Sequence, residues 1–214
     1  MRFTKYEIIS FFTTAITFGL LFAYLLGWPN IHTSMGGGTD SANTTKSGKT
    51  TYAKAIDNLN GVNIYYNGKV GNVSGRNVTK DGYNLGLKYQ CVEFVKRYYY
   101  EYYRHKMPDS YGHAKDFYDR YVADGQMNKS RALRQFTNGS IARPKVGDIV
   151  VFGPTPYNKF GHIGIVSKSG RESIEMAHQN PGVGAPSRVR YELKKTNGRW
   201  YIDQEYTLGW LRMS

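Results

Sequence analysis

The chain has 214 residues, of which 40% are hydrophobic and 19 are tyrosine, so a folded core is expected and global disorder is not. One cysteine excludes an internal disulfide framework, and five scattered histidines without zinc-ligand spacing imply neither a structural metal nor a cofactor. The formal charge of +13 suggests a polyanionic partner or dispersed solubilising charge, but no helix-turn-helix, zinc-finger or RNA-binding signature marks nucleic acid as that partner.

From the N-terminus, Ile8 to Leu26 is uncharged, preceded by Arg2 and Lys5 and followed by Trp28. Nineteen residues at about 1.5 Å each approach the thickness of a bilayer core, so residues 1–26 read as a membrane anchor. The charge bias keeps the N-terminus cytoplasmic and places the rest outside, in a single-pass arrangement at the cytoplasmic membrane. The competing reading is a signal peptide, which would make the mature chain secreted. Residues 27–50 are rich in Gly, Ser, Thr and Asn, the composition of a flexible linker. Residues 51–214 are then the folded domain.

Within that domain a short helix is expected over Tyr52 to Leu59 and a strand over Val62 to Tyr66, closed by Asn67-Gly68. Val92 to Arg104 reads as a helix, with Cys91, Val95, Tyr98 and Tyr102 on one face and Glu93, Arg97, Tyr100 and Arg104 on the solvated side. A second helix is expected over Ala114 to Ala123. Strands follow at 148–152, 161–166 and 173–178, with further candidates at 188–193, 199–206 and 209–211. Helices first and antiparallel strands after them make an α+β fold.

Cys91 sits at the first turn of its helix, where unpaired N–H groups and the dipole favour a thiolate nucleophile. A lone cysteine is otherwise most often a small buried hydrophobe. His162 opens a strand behind Gly161, with Gly164 beside it on the same face, and is a candidate general base. Spacing alone cannot pair the two, because a cysteine hydrolase assembles its partners through the fold.

YQCVEF at 89–94, GDIVVF at 147–152 and GHIGIV at 161–166 resemble the CHAP family of cysteine, histidine-dependent amidohydrolases and peptidases. Gln179-Asn180, Asn138-Gly139-Ser140 and the closing Leu208-Gly209-Trp210 fit the same pattern, most of all the amidase domain of glutathionylspermidine synthetase/amidases. The resemblance covers residues 60–212. It implies a papain-like fold, with N-terminal helices packed on a small antiparallel sheet, and cleavage of amide bonds, most often in peptidoglycan peptides. Carried over by position, Cys91 is the nucleophile and His162 the base. Where the family commonly has a glutamate two residues before the asparagine, this chain has His178. Asn180 is then the expected orienter of His162, in a Cys-His-Asn arrangement, with His178 as the alternative. The backbone N–H of Cys91 is the first oxyanion donor, and Gln90 or the loop around Tyr83 the second; Gly161 completes the substrate-binding set. A glutathionylspermidine-type small-molecule amidase and a non-catalytic wall-binding module are the two other readings.

Overall fold

The computed structural model describes residues 53–214. The expected anchor and linker, residues 1–50, lie outside them. Among the described residues no helix is long and apolar enough to cross a membrane, and this stands against the expected transmembrane helix and single-pass localisation at the membrane.

Strand β1 (Ala55–Leu59) pairs antiparallel with β2 (Val62–Tyr65) across Asn60-Gly61, whose φ angles are 49° and 90°. A tight turn with positive φ at both centres is what Asn-Gly favours most strongly. Within the helix expected over 52–59, Ala55–Leu59 is therefore a strand. A second hairpin, β3 (Arg76–Val78) and β4 (Asn84–Leu87), leads into helix α1 (Cys91–Tyr102). The helix is found where it was expected, but half of the face read as solvated is not: Glu93 is 0% and Arg97 6% exposed, whereas Tyr100 is half-buried and Arg104 exposed. Helix α1 is packed against β2, β4 and the main sheet at once, so its first two turns are covered on several sides.

The helix expected over 114–123 is a single 3-10 turn, Ala114–Phe117, after which Tyr118 is extended. Buried Gln135 explains the stop. Its Oε1 accepts the N–H of Asp119, while its Nε2 donates to the carbonyls of Asp119 and Val122. Arg131 takes the carbonyl of Asp116 at 3.0 Å. The backbone groups that an α-helix would use here are already committed to side chains.

The remaining strands are β5 (Met127–Asn128), β6 (Leu133–Thr137), β7 (Ile149–Phe152), β8 (His162–Ser169), β9 (Ser173–Ala177), β10 (Arg188–Thr196), β11 (Arg199–Ile202) and β12 (Thr207–Arg212). They form one antiparallel sheet in the order β11-β10-β9-β8-β7-β12-β6-β5. The expected α+β class with several N-terminal helices is thus corrected: the described chain is mostly β, with α1 its one α-helix. The strands from 148 onward lie close to where alternation and β-branched runs placed them.

Both faces of the sheet are apolar, which accounts for the unbroken Ile149-Val150-Val151-Phe152 run. Ile149 and Val151 join Phe94, Val95 and Tyr99 of α1 in one core, while Val150 and Phe152 join Met176 and Trp210 in another. Each large side chain so buried contributes about 1.5–3 kcal/mol. The β11 edge of the sheet is met by the chain that leaves β6. Asn138-Gly139-Ser140, which follows β6, exchanges backbone hydrogen bonds with Trp200 at 2.7 and 2.8 Å, and the Asn138 side chain brackets Ile202. The NGS element is a structural clasp far along the sheet from the cysteine.

Candidate active site

Gln90 precedes α1 in an extended conformation and leaves the first-turn N–H groups without a side-chain cap. The N–H groups of Val92, of Ile163 on β8 and of Cys91 itself all favour a charged thiol at position 91. Burial outweighs them and pushes the thiol up to about 11. The N–H groups at the helix end act in the direction expected, but burial is the larger effect. At neutral pH the thiol rests protonated.

His162 begins β8, one residue before the strand position whose N–H meets the thiol. Gly161 has φ +74° and a Cβ there would lie 2.3 Å from the carbonyl of Phe152, so the approach to His162 is closed to any other residue. Gly164 does not leave room for substrate, since a Cβ on it would meet Met176 at 2.7 Å. Its space belongs to the sheet.

The ring of His162 is held by His178, with Nε2 of the first 2.7 Å from Nδ1 of the second. The far nitrogen of His178, Nε2, lies 3.1 Å from the carbonyl of Pro186. A carbonyl only accepts, so His178 Nε2 carries a proton, and neutral His178 offers a lone pair at Nδ1. His162 therefore donates from Nε2. Its Nδ1 is left bare, the tautomer that a general base needs. Burial, and then the neighbouring His178, hold His162 down to about 3; burial holds His178 down to about 4. The pair is neutral at rest.

Cys91, His162, Gln90, Gly161 and Asn180 line one cavity of about 430 Å³. Asn180 is not the partner of His162. Its Nδ2 donates to Gln90 Oε1 at 2.7 Å and to the carbonyl of Val70 at 2.8 Å. Gln90 Nε2 in turn donates to the carbonyls of Val70 and Asn72, so both of its N–H groups are committed and neither is free for an oxyanion. Together Gln90 and Asn180 fasten the 69–73 loop as a cavity wall. Tyr83 lies outside the cavity lining and its hydroxyl accepts the N–H of Met107 at 2.9 Å. The N–H of Cys91 is left as the candidate oxyanion donor.

Residues 80–180 match the family model described as the CHAP domain. The likeness to that family covers just under half of the chain. It is also 27% identical over 148 residues to "Trypanothione synthetase" of Crithidia fasciculata, which covers 64% of this chain and 23% of that protein. "Glutathionylspermidine synthase" of the same organism is 28% identical over 140 residues, 59% of this chain and 19% of the relative. The chain thus matches less than a quarter of the length of either relative.

Two features of the site escaped sequence reasoning. The first is the buried network behind Cys91. Glu93 accepts from Arg97 Nε at 2.7 Å, from Asn77 Nδ2 at 2.7 Å and from Gln179 Nε2 at 2.9 Å, tying the cysteine helix to the residue after His178. Replacing Glu93 with Ala should lower the unfolding free energy by about 3–5 kcal/mol, because Arg97 would stay buried without its countercharge. Urea unfolding measures this, and a loss under about 1 kcal/mol would contradict it. The second feature is the far wall of the cavity, where Arg76, Tyr111, His113 and Phe160 come from loops and from a three-residue strand that carry no periodic signal.

Proposed function

We propose that the CHAP domain hydrolyses amide bonds in peptidoglycan peptides, with Cys91 as nucleophile, His162 as general base and His178 as the residue that positions His162. The observation that carries this is the hydrogen-bonded histidine pair, whose outer bond to Pro186 leaves a free lone pair at Nδ1 of His162, a residue that lines the same cavity as Cys91. As Sγ attacks the carbonyl carbon, its proton passes to His162 Nδ1, and the oxyanion takes the N–H of Cys91. The same proton then goes to the leaving amine nitrogen, leaving a thioester. Water, deprotonated by His162, attacks the thioester and releases the acid. A neutral His178 stabilises the imidazolium less than a carboxylate would, so the charged pair forms during the reaction and not before it.

The relatives' names point to a second reading, an amide of the glutathionylspermidine kind. Against it stands the cavity lining, in which no described residue is Asp or Glu to hold a polyamine cation. The domain itself, from residue 51, has 25 basic against 14 acidic residues, which suits an anionic wall polymer. Incubating the chain with purified sacculi, and separately with glutathionylspermidine, decides between them. New amino groups released from sacculi, and absent with Cys91→Ala, are expected. Release from glutathionylspermidine alone would overturn the substrate, and release from neither would favour a non-catalytic wall-binding module.

A further inference from the structure

Arg76 is the one Lys, Arg, Asp or Glu among the residues lining the cavity. Its Nη1 donates to Asn84 Oδ1 at 3.0 Å, and its Cζ lies 5.7 Å from the centre of the Tyr111 ring. No carboxylate among the described residues forms a salt bridge with it. A guanidinium has five N–H groups, and one is used, so four remain for a ligand.

The support beneath Arg76 is built in detail. Asn84 is 7% exposed, and its amide is oriented without ambiguity: Nδ2 donates to the carbonyl of Ser110 at 2.9 Å, while Oδ1 also accepts the N–H of Gly86 at 3.1 Å. Behind it, the buried ammonium of Lys96 donates to the carbonyls of Asn84 and Ser110, joining β4 to the 110–113 loop. Two cations thus stand at one end of the cavity, with Arg76 in front. Val73, Leu87, Tyr111 and Phe160 line the same cavity with apolar or aromatic groups, beside the uncharged polar side chains of Ser110 and Asn158 and the ring of His113, so Arg76 is the one guanidinium or ammonium a charge arriving there meets.

We infer that Arg76, held by Asn84, is a subsite for a carboxylate on the substrate. The planar fork matches a carboxylate in two parallel hydrogen bonds, which a lysine could not reproduce. The inference rests on the hydrolase reading and narrows it: the preferred amide carries a free carboxylate on the part that lies along this wall.

The test is equilibrium binding to the full-length Cys91→Ala chain, which cannot turn over. The probes are dansylated glycine di-, tri- and tetrapeptides, each as the free acid and as the carboxamide, followed by fluorescence. For at least one length the acid should bind at least tenfold more tightly than its carboxamide. Arg76→Gln should bring that ratio to about one, and Arg76→Lys should keep part of it. Equal binding of acid and carboxamide at every length, no binding at all, or a preference that survives Arg76→Gln would overturn the subsite. The hydrolase reading fails separately, if the wild-type chain releases amine from neither sacculi nor glutathionylspermidine while the acid preference stands.

Discussion

Cys91→Ala should abolish amine release from sacculi, a loss of roughly 10⁴-fold or more in kcat/KM, as removal of a covalent nucleophile does elsewhere. The fold should survive, since a thiol replaced by a methyl removes little volume and the Glu93 network next to it is untouched. The same cysteine predicts an unusual labelling profile. With its thiol pushed up to about 11 from an ordinary 9, the resting enzyme holds about a hundredfold less thiolate at pH 7 than a free cysteine does. Iodoacetamide should therefore label wild-type Cys91 slowly at pH 7, and the rate should still be climbing above pH 9. A labelling rate that reaches its plateau near pH 5 or 6 would mean a thiolate–imidazolium pair already formed at rest. In that case the neutral resting state described above is wrong, even if the enzyme is active.

That neutral state was not legible in the sequence, and the reason is instructive. The position of Cys91 at the head of α1 follows from local pattern, with Gly-rich chain before it and apolar spacing after it. The ionisation of its thiol depends instead on how deeply the fold buries it, and β8, whose Ile163 N–H meets the thiol, lies far away along the chain. The same division runs through the fold. Strand runs such as Ile149–Phe152 are written in β-branched residues and came out near their expected limits. The helix expected over 114–123 failed because Gln135, from a strand still to come, binds its backbone. Glu93 and Arg97 were read as solvated because charge on a helix usually is, yet Gln179, 86 residues beyond Glu93, turns them into a buried joint. Asn60-Gly61 was a local signal and could have been read: it marks the β1–β2 hairpin as surely as any turn in the chain.

His178 is the residue at which the sequence offered two partners for His162 and the geometry selects one. Its replacement carries the second large effect. His178→Ala should lower kcat/KM by about 10²–10³-fold, because His162 then loses what fixes its tautomer, a loss below that of removing a triad member outright. His178→Asn should restore much of the activity: an Asn Oδ1 stands near the place of the imidazole Nδ1 and can accept the same proton from His162. A residue that merely filled space would not show this rescue, nor the change in pH dependence that goes with it. In the wild type, His178 held down to about 4 gains a proton at Nδ1 as pH falls through that value, and can no longer accept from His162. His162 must then take the other tautomer, with Nδ1 protonated and useless as a base. Activity should therefore fall on the acid side, and His178→Asn should move that limb, since an amide gains no proton there. Stability follows the same sign. The unfolded chain protonates His178 near 6.5 while the fold keeps it neutral down to about 4, so the stabilising difference is present above 6.5 and is lost as pH falls toward 4. The loss attributable to His178 is about 3 kcal/mol, at 1.36 kcal/mol per unit, and the Asn variant should lack it. Should the Ala and Asn variants prove equally inactive, with the acid limb unmoved in Asn, then His162 takes its orientation from something other than this ring.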